Sequence, residues 1–101
     1  MPETSTAFSW EVPADHPAFA GHFPDKPILP GVVLLDRALL LAEAAFPDKT
    51  IRQIGNAKFL SPVAPGEHLR FSFRAGVRGS IAFEIDCAGR VVASGSLIPA
   101  S

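Results

Sequence analysis

From Leu69 onward, apolar and polar residues alternate with a period of two. Leu69, Phe71, Phe73, Ala75 and Val77 are interleaved with Arg70, Ser72 and Arg74, which is the pattern of a half-buried strand. Gly79 marks a hairpin, after which Ile81, Phe83, Ile85 and Cys87 alternate with Ala82, Glu84 and Asp86. Gly89 then turns the chain into a third strand over 90–98, so the segment predicts an antiparallel meander. Upstream, Ile51 to Leu60 is a further candidate strand, separated from the meander by the turn Pro62-Val63-Ala64-Pro65-Gly66. Residues 6–12, Thr-Ala-Phe-Ser-Trp-Glu-Val, alternate loosely until Pro13 stops them, which suits a short first strand.

Between Pro13 and Pro30 stand Pro17, Pro24 and Pro27, too many prolines for a helix or a central strand. Phe19, Phe23, Ile28 and Leu29 make this loop apolar enough to pack against something. Pro30 suits the first turn of a helix, and good helix formers continue from Val32 to Phe46, predicting about 17 helical residues roughly 25 Å long. Leu34, Leu35, Leu39, Leu40, Leu41 and the alanines put apolar groups on every side, so the helix is expected to be wrapped by other elements. One helix and about five strands predict an α+β fold with an antiparallel sheet curled around the helix. Such a sheet has edges that need protection, which makes a homodimer the natural expectation.

Composition narrows the function. The 101 residues are 48% hydrophobic and 19% charged, which suits a single folded domain over residues 1–101. Nine Lys and Arg against ten Asp and Glu, without a block of like charge, argue against nucleic acid as a partner. Cys87 has no second cysteine to pair with, and Met1-Pro2-Glu3-Thr4 lacks the basic and then apolar pattern of a signal peptide, so a cytoplasmic protein is expected. Asp36, Arg37 and Glu43 interrupt the longest apolar stretch, well short of the roughly 18 residues of a membrane span. His16, His22 and Cys87 have no metal-ligand spacing, and neither a Gly-x-Ser-x-Gly elbow, a phosphate-binding glycine loop nor a Cys-x-x-Cys pair is present. No metal and no cofactor are expected.

Residues 21–36 read Gly-His-Phe-Pro-Asp-Lys-Pro-Ile-Leu-Pro-Gly-Val-Val-Leu-Leu-Asp. This segment resembles the FabA/FabZ family of 3-hydroxyacyl-(acyl carrier protein) dehydratases. Gly-His-Phe-Pro is followed by Pro-x-x-Pro-Gly and then by a carboxylate in the first turns of a helix, in the family's order and spacing. The stretch Ala57 to Glu67, Ala-Lys-Phe-Leu-Ser-Pro-Val-Ala-Pro-Gly-Glu, extends the resemblance, which covers roughly residues 8 to 98. It implies a hot-dog fold, in which an antiparallel sheet wraps a long central helix and two subunits join their sheets around shared active sites. It also implies removal of water from a 3-hydroxyacyl thioester carried by the phosphopantetheine of acyl carrier protein, or by coenzyme A, to give the trans-2-enoyl thioester. His22 would then be the catalytic histidine, Asp36 the carboxylate supplied by the facing subunit, and Gly31 the backbone donor to the thioester carbonyl.

Those residue types suit the chemistry. The α proton needs a base, and histidine, with a reference pKa of about 6.5, is largely neutral at pH 7. Hydroxide leaves only if protonated, and burial of Asp36 among leucines would favour its acid form. The enolate-like oxygen needs a donor, and Pro30 has no N–H, so the Gly31 amide is among the first at the positive end of the helix. Each residue also has a plainer reading: His22 as a buried histidine bonded to backbone, Asp36 paired with Arg37, Gly31 as a packing glycine. Glu43 and His68 read as surface groups, Cys87 as core, and Arg70, Arg74, Arg78 and Lys26 as a solvated face that could meet an acidic carrier protein.

Asp36 matches the FabA branch, whereas FabZ-like enzymes carry Glu there, and Leu40 stands where those relatives commonly have Gln. The short chain suggests the compact dehydratases of aryl-polyene or other polyketide-like pathways. Two alternatives remain on the same fold: an acyl thioesterase, and an inactive subunit that pairs with an active dehydratase in place of forming a homodimer or a higher oligomer.

Overall fold

A computed structural model describes residues 5–17, 28–76 and 79–100, with Ser5 described by its backbone only. The elements are β1 (Ser5–Glu11), α1 (Gly31–Ala45), β2 (Ile51–Phe59), β3 (His68–Ala75), β4 (Ile81–Cys87) and β5 (Arg90–Pro99). The expectations for Phe19, His22, Phe23, Lys26, Val77 and Arg78 fall outside the described residues.

The strands form one antiparallel sheet in the order β1-β3-β4-β5-β2. The predicted meander is its centre. Leu69, Phe71 and Phe73 of β3 and Ile81, Phe83, Ile85 and Cys87 of β4 all face the core, as their alternation requires. In β5 the phase changes: Val92 and Ala93 are adjacent yet both buried. The pairing Ile85↔Ala93 is followed by Asp86↔Val91, so Val92 is an extra residue, and this bulge allows two neighbours to turn inward. Ala88 (φ 51°) and Gly89 (φ 86°) form the tight turn between β4 and β5, and the Gly89 N–H donates to Asp86 Oδ2 at 3.2 Å.

The helix has 15 residues, Pro30 being its N-cap in extended conformation and not a member of its first turn. It lies on one face of the sheet. Leu34, Ala38 and Ala42, four residues apart, form its buried stripe, and the two small alanines let the helix come close to β2 and β3. Val32, 71% exposed, and Leu40, 56% exposed, lie on the opposite side. The expectation of a helix wrapped all round is therefore not met within one chain: a five-stranded sheet covers only one side of it. The sheet's β2 edge is equally bare, with seven of its nine residues exposed and only Ile51 and Ala57 half-buried. By contrast β1, the other edge, tucks Phe8 and Trp10 against Phe73 and Phe71 of β3.

Candidate active site

The N-terminus of α1 opens onto an apolar cleft of about 290 Å³ between the helix and the segment that follows β2. Ile28 and Gly31 line one side, and Phe59, Leu60 and Pro62 the other. The entry to the helix is fixed by the Leu29 N–H, which donates to the Val63 carbonyl at 2.8 Å; both residues are buried. Pro30 has no amide proton to offer, and its carbonyl accepts the Val33 N–H at 3.0 Å. Gly31 is the first residue whose N–H is free of the helix's own bonding, as helix geometry requires of the first turn. An added Cβ at Gly31 would lie 2.8 Å from the Phe59 ring, so glycine is what allows that ring to close over the helix end.

Asp36 lies on the exposed stripe of the helix with Val32 and Leu40. The burial inferred from its leucine neighbours is not provided by this chain, because those leucines flank it in sequence while the sheet lies on the other side of the helix. Its pairing with Arg37 is not seen either. Consecutive helical side chains point about 100° apart, and the Arg37 guanidinium carbon is instead 4.3 Å from the centre of the Trp10 ring. That contact ties α1 to β1 and draws the adjacent positive charge away from Asp36. Trp10 is itself held edge-on by His16, with ring centres 6.3 Å apart. His22 lies outside the described residues. The structure thus places Gly31 and Asp36 on one helix, at its end and on its uncovered side.

Three residues outside the site expected from the sequence, Glu67, Cys87 and Arg90, form a hydrogen-bonded polar cluster. Glu67 Oε1 accepts the Ala64 N–H at 2.8 Å, and Arg90 Nη2 approaches Oε1 at 3.2 Å and Oε2 at 3.3 Å while also donating to the Pro62 carbonyl at 3.2 Å. The Cys87 thiol donates to Oε2 at 3.4 Å. The Ala64 amide bond and the bonds from Cys87 and Arg90 hold the Glu67 carboxyl below its ordinary range despite opposing burial. Burial, followed by the bond to Glu67, pushes the Cys87 thiol up. Cys87 is core, as its alternation with Ile85 predicts. His68 and Glu43 are exposed, His68 reaching Glu11 across the β1–β3 pair at 4.0 Å.

A larger open groove of about 630 Å³ runs over the outer face of the sheet, where Lys58, Ser72, Arg74, Glu84 and Ser96 mix both charges. It is lined by sheet residues alone and receives none of the helix-terminus groups. Among the described residues there is no cluster of three or more potential metal ligands, and no helix is long and apolar enough to cross a membrane.

Comparison with known proteins bears on this arrangement. A family model described as ApeI-like, ApeI dehydratase, matches residues 1–96. A 3-hydroxyacyl-[acyl-carrier-protein] dehydratase FabZ from Sinorhizobium medicae is 41% identical over 68 residues, covering 59% of this chain and 44% of that protein. The chain thus spans about half the length of the curated relatives it matches. Among solved structures, the dehydratase heterocomplex ApeI:P from Xenorhabdus doucetiae superposes with a TM-score of 0.84 at 22% identity, over 99% of this chain and 90% of that one. An uncharacterised protein from Erwinia carotovora subsp. atroseptica superposes with a TM-score of 0.81 at 30% identity, over 95% and 82%. The hot-dog architecture expected from the sequence is the one found.

Proposed function

The chain belongs to the ApeI-like dehydratase family, and on that premise we propose that it removes water from a 3-hydroxyacyl thioester to give the trans-2-enoyl thioester. The substrate would ride on the phosphopantetheine of an acyl carrier protein, or on coenzyme A, in fatty-acid or polyketide-like biosynthesis, without a metal or other cofactor. Its setting would be the cytoplasm. His22 takes the α proton as the Cα–H bond breaks. The electron pair forms the Cα–Cβ double bond and expels the β-hydroxyl, which leaves as water with a proton from Asp36. The Gly31 N–H steadies the negative charge that gathers on the thioester oxygen.

The observation that carries this reading is the helix N-terminus at Gly31, which presents a backbone donor to an apolar cleft fit for an acyl chain. Exposure of Asp36 between Val32 and Leu40, together with the bare β2 edge, supports a site completed by a second subunit whose sheet continues β2. That subunit is a second copy in the simplest case. A different dehydratase subunit is the second reading, favoured by Leu40, which replaces the family's Gln, and by the heterocomplex to which the fold is similar.

The test is to incubate the purified protein with a 3-hydroxyacyl thioester and follow enoyl thioester and free thiol together, with His22→Ala and Asp36→Asn as controls. Enoyl product lost in both variants supports the dehydratase. Free thiol would replace it with a thioesterase, and activity appearing only with an added dehydratase subunit would establish the hetero-partner reading.

A further inference from the structure

We propose that Glu67 is a positioning residue for the Gly31 amide, acting through the turn 62–66; the inference rests on the proposed role of Gly31 as the donor to the thioester oxygen. The connection runs through four bonded steps. The Glu67 carboxylate grips the Ala64 N–H at 2.8 Å, and Arg90 bonds that carboxylate and the Pro62 carbonyl at once, so the backbone on both sides of Val63 is held. Val63 is buried, which leaves its carbonyl little freedom. That carbonyl accepts the Leu29 N–H at 2.8 Å. Two residues on, across the rigid φ of Pro30, stands Gly31. Pro62 and Val63 also wall the cleft, so the same clamp sets both the donor and the surface against which a substrate would lie.

Magnitudes separate a positioning role from a merely structural one. The Glu67 and Arg90 side chains are 26% and 47% exposed, and pairs of that kind contribute little to global stability. Registration of a reacting group is far more demanding, since a displacement near 1 Å is felt in the rate. Losing the clamp should therefore loosen Leu29 and slow turnover while the sheet stays folded.

The experiment compares the wild-type protein with Glu67→Ala and Glu67→Gln, reading amide hydrogen exchange by NMR and steady-state kinetics on a 3-hydroxyacyl-CoA. In Glu67→Ala, exchange at the Leu29 amide should accelerate at least about tenfold while Phe71 and Ile85 keep their rates, and kcat should fall about tenfold with KM within about twofold. Glu67→Gln keeps an acceptor for Ala64 and should restore both readouts most of the way. Unchanged Leu29 exchange, acceleration of Phe71 and Ile85 in step with Leu29, or an unaltered kcat would each overturn the proposal. A wild-type protein that forms no enoyl product would instead overturn the dehydratase reading, and Leu29 exchange would still decide whether Glu67 clamps the helix entry.

Discussion

Phe59 lies over Gly31 so closely that two of its ring carbons come within 2.8 Å of where a side-chain carbon at position 31 would stand. The end of β2 and the first residue of α1 are thus fitted to each other, and the absence of one methyl group leaves the helix's first amide beside the cleft. Gly31 does not have the positive φ that only glycine adopts readily, so the need for glycine here is one of space.

Gly31→Ala separates those two requirements. Alanine suits helical backbone, and Phe59 is half exposed and can swing aside, so stability should stay within about 1 kcal/mol of the wild type. The displaced ring and the new methyl group would crowd the amide. Enoyl formation should fall at least about tenfold, toward the loss that follows removal of an oxyanion donor. Urea denaturation beside steady-state kinetics checks both halves, and full activity in the variant would refute the placement of the donor.

Gly95 behaves differently, because nothing around it can yield. A Cβ there would collide with the Asn56 carbonyl oxygen of the neighbouring strand and stand 2.8 Å from the ring of Phe83, which is buried and faces Gly95 across the β4–β5 pair. Gly95→Ala should therefore cost about 3 kcal/mol, through a strained β2–β5 ladder or a displaced core aromatic. A urea midpoint unchanged from the wild type would count against this packing.

Legibility in the sequence followed the range of the interactions. The meander was readable because alternation is local, and the helix because Pro30 and Pro47 bracket it. Gly31 and Asp36 were proposed as site residues through a motif contained within sixteen consecutive residues. Hydrophobic periodicity could not tell a helical face turned to its own sheet from one left bare, which is why Leu40 read as wrapped with the other leucines although it is exposed. Nor could it give the fate of Arg37, whose partner Trp10 lies on another element. Glu67 was quoted only as part of a Pro-Gly-acid segment; its partners Cys87 and Arg90 come near it only when the β4–β5 hairpin folds back onto the turn at 62–66.

Glu67 should leave a signature in acid. Its folded-state pKa is depressed, first by the Ala64 N–H and then by Cys87 and Arg90, so the ionised form is favoured in the folded protein. That contribution is fully present above the unfolded glutamate value near 4.5 and is lost as pH falls from there through the lower folded value. The stability difference between wild type and Glu67→Gln should be constant from pH 8 to about pH 5, no larger than about 1 kcal/mol, and should shrink below that. Denaturant melts at stepped pH measure it, and a difference that grew on acidification would contradict the bonding described.

Cys87 tests the other side of the same cluster. Burial raises its pKa, and the Glu67 carboxylate adds to the rise by accepting a hydrogen bond from the protonated thiol and by its charge. Since the thiolate is the reactive form, the folded protein should resist alkylation. Iodoacetamide at pH 8 should modify native Cys87 at least about a hundredfold more slowly than the urea-unfolded chain, where the thiol regains its ordinary value and its access to solvent. The sign of the linkage also follows: a raised thiol pKa stabilises the fold below the unfolded cysteine value near 9.0, and that contribution disappears as pH climbs above it. Glu67→Gln removes the negative charge while leaving Cys87 buried, so alkylation of the folded variant should quicken but remain far slower than in urea. Equal rates in native and unfolded wild-type protein would mean that Cys87 is neither buried nor bonded to Glu67 in solution.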